Sequence, residues 1–461
     1  MALSEDNSLL VSGSEDGRVL LWSTQSTPIE LLGTLRGHSS YVTHCVVHGN
    51  YVVTGSADGT LKKWSIVDAK CVHTFEGHGA RVNRVTCTAD LILSTSHDKT
   101  AAAWRFNADL ELQVRLLLSV GAEARRPDTE LEERRLLRQV ASSNKSAISA
   151  PKERGSLGSN GEDGEGNSSS YDGTSGDDDS ESESDSTSDR ITVFRGHTKS
   201  VFPVIFVPAD NMLGATKETE DIVITGSHDF TARTWGLYSG ECLKASKYAH
   251  GGSGSRVSVL MFPVLKGHTA PINAMVVDTD GNILFTGGGD GVIRSWHIKT
   301  GDCQRVLTGH QGPIVTLITH SKMLYSGSSD NTARAWVMEF GECTRVYRGH
   351  QHTVDCLRYH DRMLYTGSGD KVARMYEAKS GTLKRSFRGH DHGVVCIEVV
   401  TGKLFTGSYD GTLFVWDTTG VVDETVFGDE HKDSEDEEDL PDDSDEVKLA
   451  VNFLEPFIHE G

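Results

Sequence analysis

Residues 309–350 read GHQGPIVTLITHSKMLYSGSSDNTARAWVMEFGECTRVYRGH, and most of the chain is a variation on them. Gly309-His310 opens the stretch, Asp330 follows His310 by 20 residues, Trp336 follows Asp330 by six, and Gly349-His350 starts the cycle again. The next cycle carries Asp370 and Tyr376, and the one after it Asp410 and Trp416, each pair 40 residues beyond the last. Between these marks, apolar alternation at Ile314, Thr316 and Ile318 predicts one strand, 323–328 a second, 332–336 a third and 343–347 a fourth, with turns at 329–331 and 340–341. A period near 40 built from four short strands is the mark of propeller blades. One such sheet cannot bury both faces alone, so the units stack face to face around an axis.

The Asp-to-aromatic step of six occurs at Asp16/Trp22, Asp58/Trp64, Asp98/Trp104, Asp229/Trp235, Asp290/Trp296, Asp330/Trp336, Asp370/Tyr376 and Asp410/Trp416. Gly-His precedes all but the first, with histidines at His38, His78, His197, His268, His310, His350 and His390. In a blade, the turn aspartate accepts from backbone N–H groups and from the histidine ring. The ring bonds a strand Ser or Thr, whose other partner is the indole N–H. Buried polar groups must be paired, and this set pairs them. The Gly-His…Asp…Trp arrangement resembles the WD-repeat family over residues 1–106 and 191–428. The resemblance implies an all-β, eight-bladed propeller that works as an interaction platform without catalysis, and it is specific to fold, not to function.

Met1 falls already inside the second strand of the first blade (Leu9 to Ser14), so that blade is expected to lack its opening strand. Two explanations stand: the blade is incomplete, or the alternating run Val447, Leu449, Val451, Phe453 returns to complete it, since ring closure removes a raw edge. The segment 447–461 is on that account a candidate closing strand.

Spacing locates the additions. Trp64 and His78 stand 14 apart, but Trp104 and His197 stand 93 apart and Trp235 and His268 stand 33 apart. His197 and Asp229 stand 32 apart where 20 is usual. These additions fall between first and second or third and fourth strands, all on the face opposite the Gly-His and Asp turns. The long insertion, 107–190, holds a capping box at Thr129 and Glu132 with Leu131, Leu136 and Leu137, which predicts a short helix over 129–141. Residues 155–189 are rich in Ser, Gly and acid, with 11 acidic residues and no Lys or Arg, a composition of disorder. The tail 429–446 has 12 acids against Lys432 and is expected to be disordered as well. Each run carries −11, and the whole chain −21, so the folded body is close to neutral. No basic stripe is evident, which argues against nucleic acid as a partner.

No apolar stretch reaches 18 residues and no leader pattern opens the chain, so an intracellular protein, cytoplasmic or nuclear, monomeric and off the membrane, is expected. Cys71, Cys242, Cys303 and Cys343 each follow a Trp by seven, which reads as a repeat position filled by a small packing side chain. The marked histidines are spread one per blade around a ring and do not converge on a catalytic or metal site. No nucleophile elbow, phosphate loop or His/Cys cluster is present, so neither catalysis, cofactor nor metal is expected.

Binding is the stronger expectation. The turn face displays Tyr41, Arg81, Asn83, His97, Phe202, His228, Asp355 and Tyr409, and exposed aromatics and Arg are the usual anchors of interfaces. A protein or peptide partner is expected there. Propellers that act as substrate adaptors of ubiquitin ligases are similar in repeat sequence, but they hold phosphate with clustered arginines. Here those positions offer Arg81, with Lys99 beside Asp98. The acidic runs suggest a third role, chaperoning a basic client. Thr174, Ser175, Ser180, Ser182, Ser186 and Ser434 each have Asp or Glu three residues on, the preference of acid-directed kinases, and phosphate there would deepen the charge.

Overall fold

The structure is a computed structural model, and it describes residues 1–107, 189–209, 221–242, 264–419 and the backbone of 451–452. The predicted helix at 129–141, the acidic runs and the six candidate phosphorylation sites lie outside the described residues.

The strands form eight four-stranded antiparallel sheets, each a meander whose strands pair in chain order. Blade six has strands Ile314–His320, Met323–Ser328, Ala333–Val337 and Glu342–Tyr347, within two residues of the predicted bounds. Its second strand is buried from Leu324 to Ser328, because neighbouring blades cover both of its faces. Gly327 is needed there: a Cβ would stand 2.9 Å from the Val354 carbonyl oxygen of blade seven. The fourth strand is exposed from Glu342 to Arg345 and buried at Tyr347, since it forms the rim.

The core lies between blades. Tyr325, Ala333 and Tyr347 of blade six pack with Leu357, Leu364 and Tyr376 of blade seven. At the junctions, the last apolar residue of one fourth strand meets the marked aromatic of the next blade. Phe75 lies 5.8 Å from Trp104, Tyr347 lies 5.5 Å from Tyr376, and Phe387 lies 5.6 Å from Trp416 (ring centroids).

Blade one departs from expectation. Residues Ala2–Leu3 supply its opening strand, pairing Ala2 with Val11 and Leu3 with Leu10. A tight turn makes this fit: Asn7 takes a positive φ of 56°, its N–H donates to the Ser4 carbonyl at 2.9 Å, and the Ser4 hydroxyl donates to Asp6 at 2.6 Å. The C-terminal segment does return to the propeller, but not to blade one. Val451–Asn452 pairs with Leu413 and Thr412 as the fourth strand of blade eight. Both explanations for blade one are thereby overturned: a two-residue strand and its turn are too short to register as a period.

The additions interrupt blade three between Ala101–Arg105 and Arg190–Phe194, and blade four between Val201–Val207 and Ile222–Ser227 and again between Thr231–Gly236 and Leu265–Lys266. The cysteines also differ from expectation, since Cys71, Cys303 and Cys343 are exposed. They stand on the rim strand, which has no blade outside it to pack against.

Candidate protein-binding site

The hydrogen-bonded set of each blade holds the turns on which any site must stand. In blades two to eight the histidine Nδ1 lies 2.7–3.0 Å from the turn aspartate, and Nε2 lies 2.6–2.8 Å from a strand Ser or Thr hydroxyl. The indoles of Trp64, Trp104, Trp235, Trp296, Trp336 and Trp416 donate to the same hydroxyls at 2.8–2.9 Å. A neutral imidazole donates from Nδ1 and accepts at Nε2, so both ring nitrogens are used. Burial favours that neutral form and pushes His38, His268, His310, His350 and His390 below their usual value, against the pull of the aspartates. With every polar atom engaged, the set is structural.

Three blades vary it. In blade one Asp16 meets the Arg18 guanidinium, and Trp22 donates to Ser12 at 2.9 Å. In blade five Gly288 stands where other blades have serine, and a Cβ there would lie 2.4 Å from both Asp290 and His268. In blade seven Tyr376 replaces tryptophan and donates to the Arg348 carbonyl at 3.0 Å.

The structure brings several predicted turn-face residues together. The Arg81 guanidinium donates to the Tyr41 hydroxyl at 3.4 Å, joining blades two and three. The Arg81 Nε is buried and, among the described residues, has no hydrogen-bond partner. His97 Nδ1 and the Ser200 hydroxyl are 2.7 Å apart, joining blades three and four. Phe202 and His228 stack at 4.3 Å between centroids, inclined by 17°. Lys199 adds a cation 4.9 Å from the Phe230 ring. Burial lowers the His228 pKa, and the nearby His97, Lys199 and Arg81 lower it further. Tyr41, Arg81, His97, Phe202 and His228 thus form a patch of aromatic and cationic groups across three consecutive blades. Its elements are rigid because each rides on a turn tied down by an aspartate, Asp58, Asp98 or Asp229.

Three of the predicted residues stand elsewhere. Tyr409 is 80% exposed on blade eight, with blade one between it and Tyr41. Asn83 donates to the Val201 carbonyl at 2.7 Å, tying blade three to blade four. Asn83 and Asp355 both line a central cavity of about 400 Å³ and not the turn rim. Burial raises the Asp355 carboxyl above its usual value.

Sequence reasoning missed the charged wall of that cavity. Arg358 grips Glu398 with two hydrogen bonds, 2.9 and 2.5 Å, across blades seven and eight, and Arg84 stands on the opposite wall. The available signal was a charged residue eight positions after a marked histidine in two consecutive blades. On the face opposite the turns, Val67, Tyr238 and Phe340 are exposed in third-to-fourth connections, each in a different blade. Among the described residues, no group of three or more His, Cys, Asp or Glu is placed to hold a metal ion, and no helix is long and apolar enough to cross a membrane.

Comparison with known proteins agrees with this geometry. The model of the WD domain, G-beta repeat family matches residues 1–23, 29–65, 69–105, 261–297, 301–336, 341–377 and 381–417, together more than half of the chain. Mitochondrial division protein 1 of Mycosarcoma maydis is 24% identical over 336 residues, 62% of this chain and 38% of that protein. The DENN domain and WD repeat-containing protein SCD1 of Arabidopsis thaliana is 23% identical over 68% of this chain and 21% of its own length. Pre-mRNA-processing factor 19 of Bos taurus is 31% identical over 106 residues, 22% of this chain and 20% of that protein. The chain thus spans well under half the length of these relatives. In fold it is similar to the computationally designed Ika8 protein, with a TM-score of 0.62 and 21% identity over 90% of this chain and 95% of that one.

Proposed function

Since the chain belongs to the WD-repeat family, we propose that it is a non-catalytic scaffold that binds a protein or peptide partner on the turn face of blades two to four. The observation behind this is the patch of Tyr41, Arg81, His97, Phe202 and His228, held by the Arg81–Tyr41 bond and the Phe202–His228 stack. Preformed aromatic and arginine groups lose little freedom on binding, which is what makes such residues anchors. The run LYTGSGDKVARMYEAKSGTLKRSFRGH, residues 364–390, is also similar to WD repeat-containing protein 86, a likeness in keeping with an interaction platform. We place the protein inside the cell, in cytoplasm or nucleus, as a monomer, with 1–428 as the propeller interrupted by 107–190, and 429–446 as an acidic tail.

The test is affinity capture with mass spectrometry on three full-length proteins. One is unaltered, one carries Tyr41→Ala, Arg81→Glu and Phe202→Ala, and one carries Val67→Ser, Tyr238→Ser and Phe340→Ser on the opposite face. Partners lost from the first variant alone, with its melting temperature intact, support the turn face. Loss from the second variant alone sinks it. Recovery of cullin or adaptor subunits would instead identify a ubiquitin-ligase substrate adaptor. A salt-sensitive basic client lost on removing 155–189 and 429–446 would identify an acidic chaperone.

A further inference from the structure

The cavity of about 400 Å³ at the centre of the ring holds a cation that its walls leave unmatched. Those walls come mainly from the first strands of blades two, three, seven and eight. Arg84, six residues after His78, is exposed within this channel. Its guanidinium donates to His44 Nε2 at 3.5 Å, close to the limit of a hydrogen bond. Among the described residues, no carboxylate forms an ion pair with it. Burial, and then the Arg84 charge, push His44 well below its usual pKa, so that ring is a neutral neighbour. Desolvation by the walls, and then the charge of Arg358, lower the pKa of Arg84 as well.

Arg358, on the opposite wall, is already satisfied. Its Nε and Nη2 donate to the two Glu398 oxygens at 2.9 and 2.5 Å, and its Nη1 to the Leu357 carbonyl at 3.1 Å. Arg84 has the same planar fork of donors and nothing comparable to receive it. That fork matches the oxygens of a carboxylate or a phosphate. One residue nearer the turns, Thr43, Asn83 and Asp355 line the same cavity. Thr43 donates its hydroxyl hydrogen to the Gly55 carbonyl at 2.9 Å, and Asn83 its amide to the Val201 carbonyl at 2.7 Å. Both therefore turn acceptor oxygen to any guest, and Asp355 adds a carboxylate. Val395 and Ile397 supply apolar wall, and the volume lies within the range of about 300–1,000 Å³ common to small-molecule sites.

We propose that the channel is a binding site for a small hydroxylated anion, a sugar acid or a sugar phosphate. Its oxyanion lies on the Arg84 fork, and its hydroxyls donate to Thr43, Asn83 and Asp355. The oxyanion gives Arg84 the counter-charge that the walls lack, and the hydroxyls meet a ring of acceptors that a neutral apolar guest would leave unpaired. This site stands apart from the patch on the turn rim, in place and in the size of its ligand.

Thermal melting and titration calorimetry of the full-length chain test this, with gluconate, glucose 6-phosphate and glucose as probes at one ionic strength set by chloride. At about 10 mM, at least one of the two anions is expected to raise the melting temperature by about 3 °C or more, and glucose by less than about 1 °C. The anion that binds tighter tells whether carboxylate or phosphate is the group held. Arg84→Gln is expected to weaken that binding at least about tenfold. Without ligand the same variant is expected to melt at or above the unaltered protein, because it removes a cation that faces Arg358; an arginine with a structural role would lower the melting temperature instead. The variant with Tyr41→Ala, Arg81→Glu and Phe202→Ala is expected to keep the binding. The proposal is overturned if neither anion shifts melting more than glucose does, if Arg84→Gln binds as tightly as the unaltered protein, or if the rim variant loses the binding.

Discussion

The Arg374 guanidinium donates to the Asp370 carboxylate at 2.7 Å, with both side chains almost wholly buried in blade seven. In blades two, three, four, six and eight a threonine two residues after the aspartate donates to it instead: Thr60, Thr100, Thr231, Thr332 and Thr412. Val372 stands at that position here, so Arg374 supplies the missing donor. Arg374→Ala leaves a buried carboxylate short of a partner and should cost about 3 kcal/mol. Adding Val372→Thr to that variant should restore part of the loss. Urea unfolding of the single and double variants reads both.

Acid should weaken the fold in two stages. Burial alone would raise each turn aspartate, but bonds from histidine and backbone N–H, with threonine in most blades or, in blade seven, Arg374, outweigh it. Asp58, Asp98, Asp229, Asp290, Asp330 and Asp370 therefore sit below the usual carboxylate range, and Asp410 at about 2. A folded value below the unfolded one means that the unfolded chain takes up the proton first, so stability is lost as pH falls. His38, His268, His310, His350 and His390 lie below 6.5 when folded, chiefly through burial, and act in the same direction. Melting temperature should hold above pH 6.5, decline gently below it, and fall steeply below the model-peptide carboxylate range near pH 4. Asp410→Asn should flatten the steep part.

Lys63 is fully buried, its ammonium donating to the Phe106 carbonyl at 2.8 Å and standing over the Tyr51 and Phe106 rings at 4.2 and 4.4 Å. It fastens the end of blade three to blade two at the point where the long insertion departs. Lys63→Ala should cost about 3 kcal/mol through lost packing and an orphaned carbonyl. Lys63→Met keeps the stem and should cost less, as calorimetry of the two variants would show.

His228 reports on the patch. Its pKa is lowered by burial and then by His97, Lys199 and Arg81. Arg81→Glu replaces a repelling charge with an attracting one, so the His228 pKa should rise. Phe202→Ala uncovers the ring and should raise it too. Histidine titration by NMR checks both, and an unmoved His228 in both variants would mean that the three groups do not act on one another in solution.

Much of the fold was legible because its units repeat. In blade six the strands fall within two residues of their predicted bounds, and the Gly-His, Asp and Trp marks led to the bonds between them. The site was legible only in part. Tyr41, Arg81, His97, Phe202 and His228 follow from their offsets to the repeat marks, and the same offsets carried Asn83 and Asp355 to the channel wall instead. An offset locates a residue along its strand, but the tilt of the strand decides whether the side chain meets the rim or the axis.

By itself, the sequence determined the number of blades, the order of their strands and the face that receives the additions, since all three follow from a period of 40 and its interruptions. Only the tertiary structure decided how the ring is completed, with Ala2–Leu3 in blade one and Val451–Asn452 in blade eight. It also decided that Arg358 of blade seven would meet Glu398 of blade eight. Such pairings join residues far apart in the chain or in different repeats. Local spacing carries no record of them, because they come into being only when the blades close around their axis.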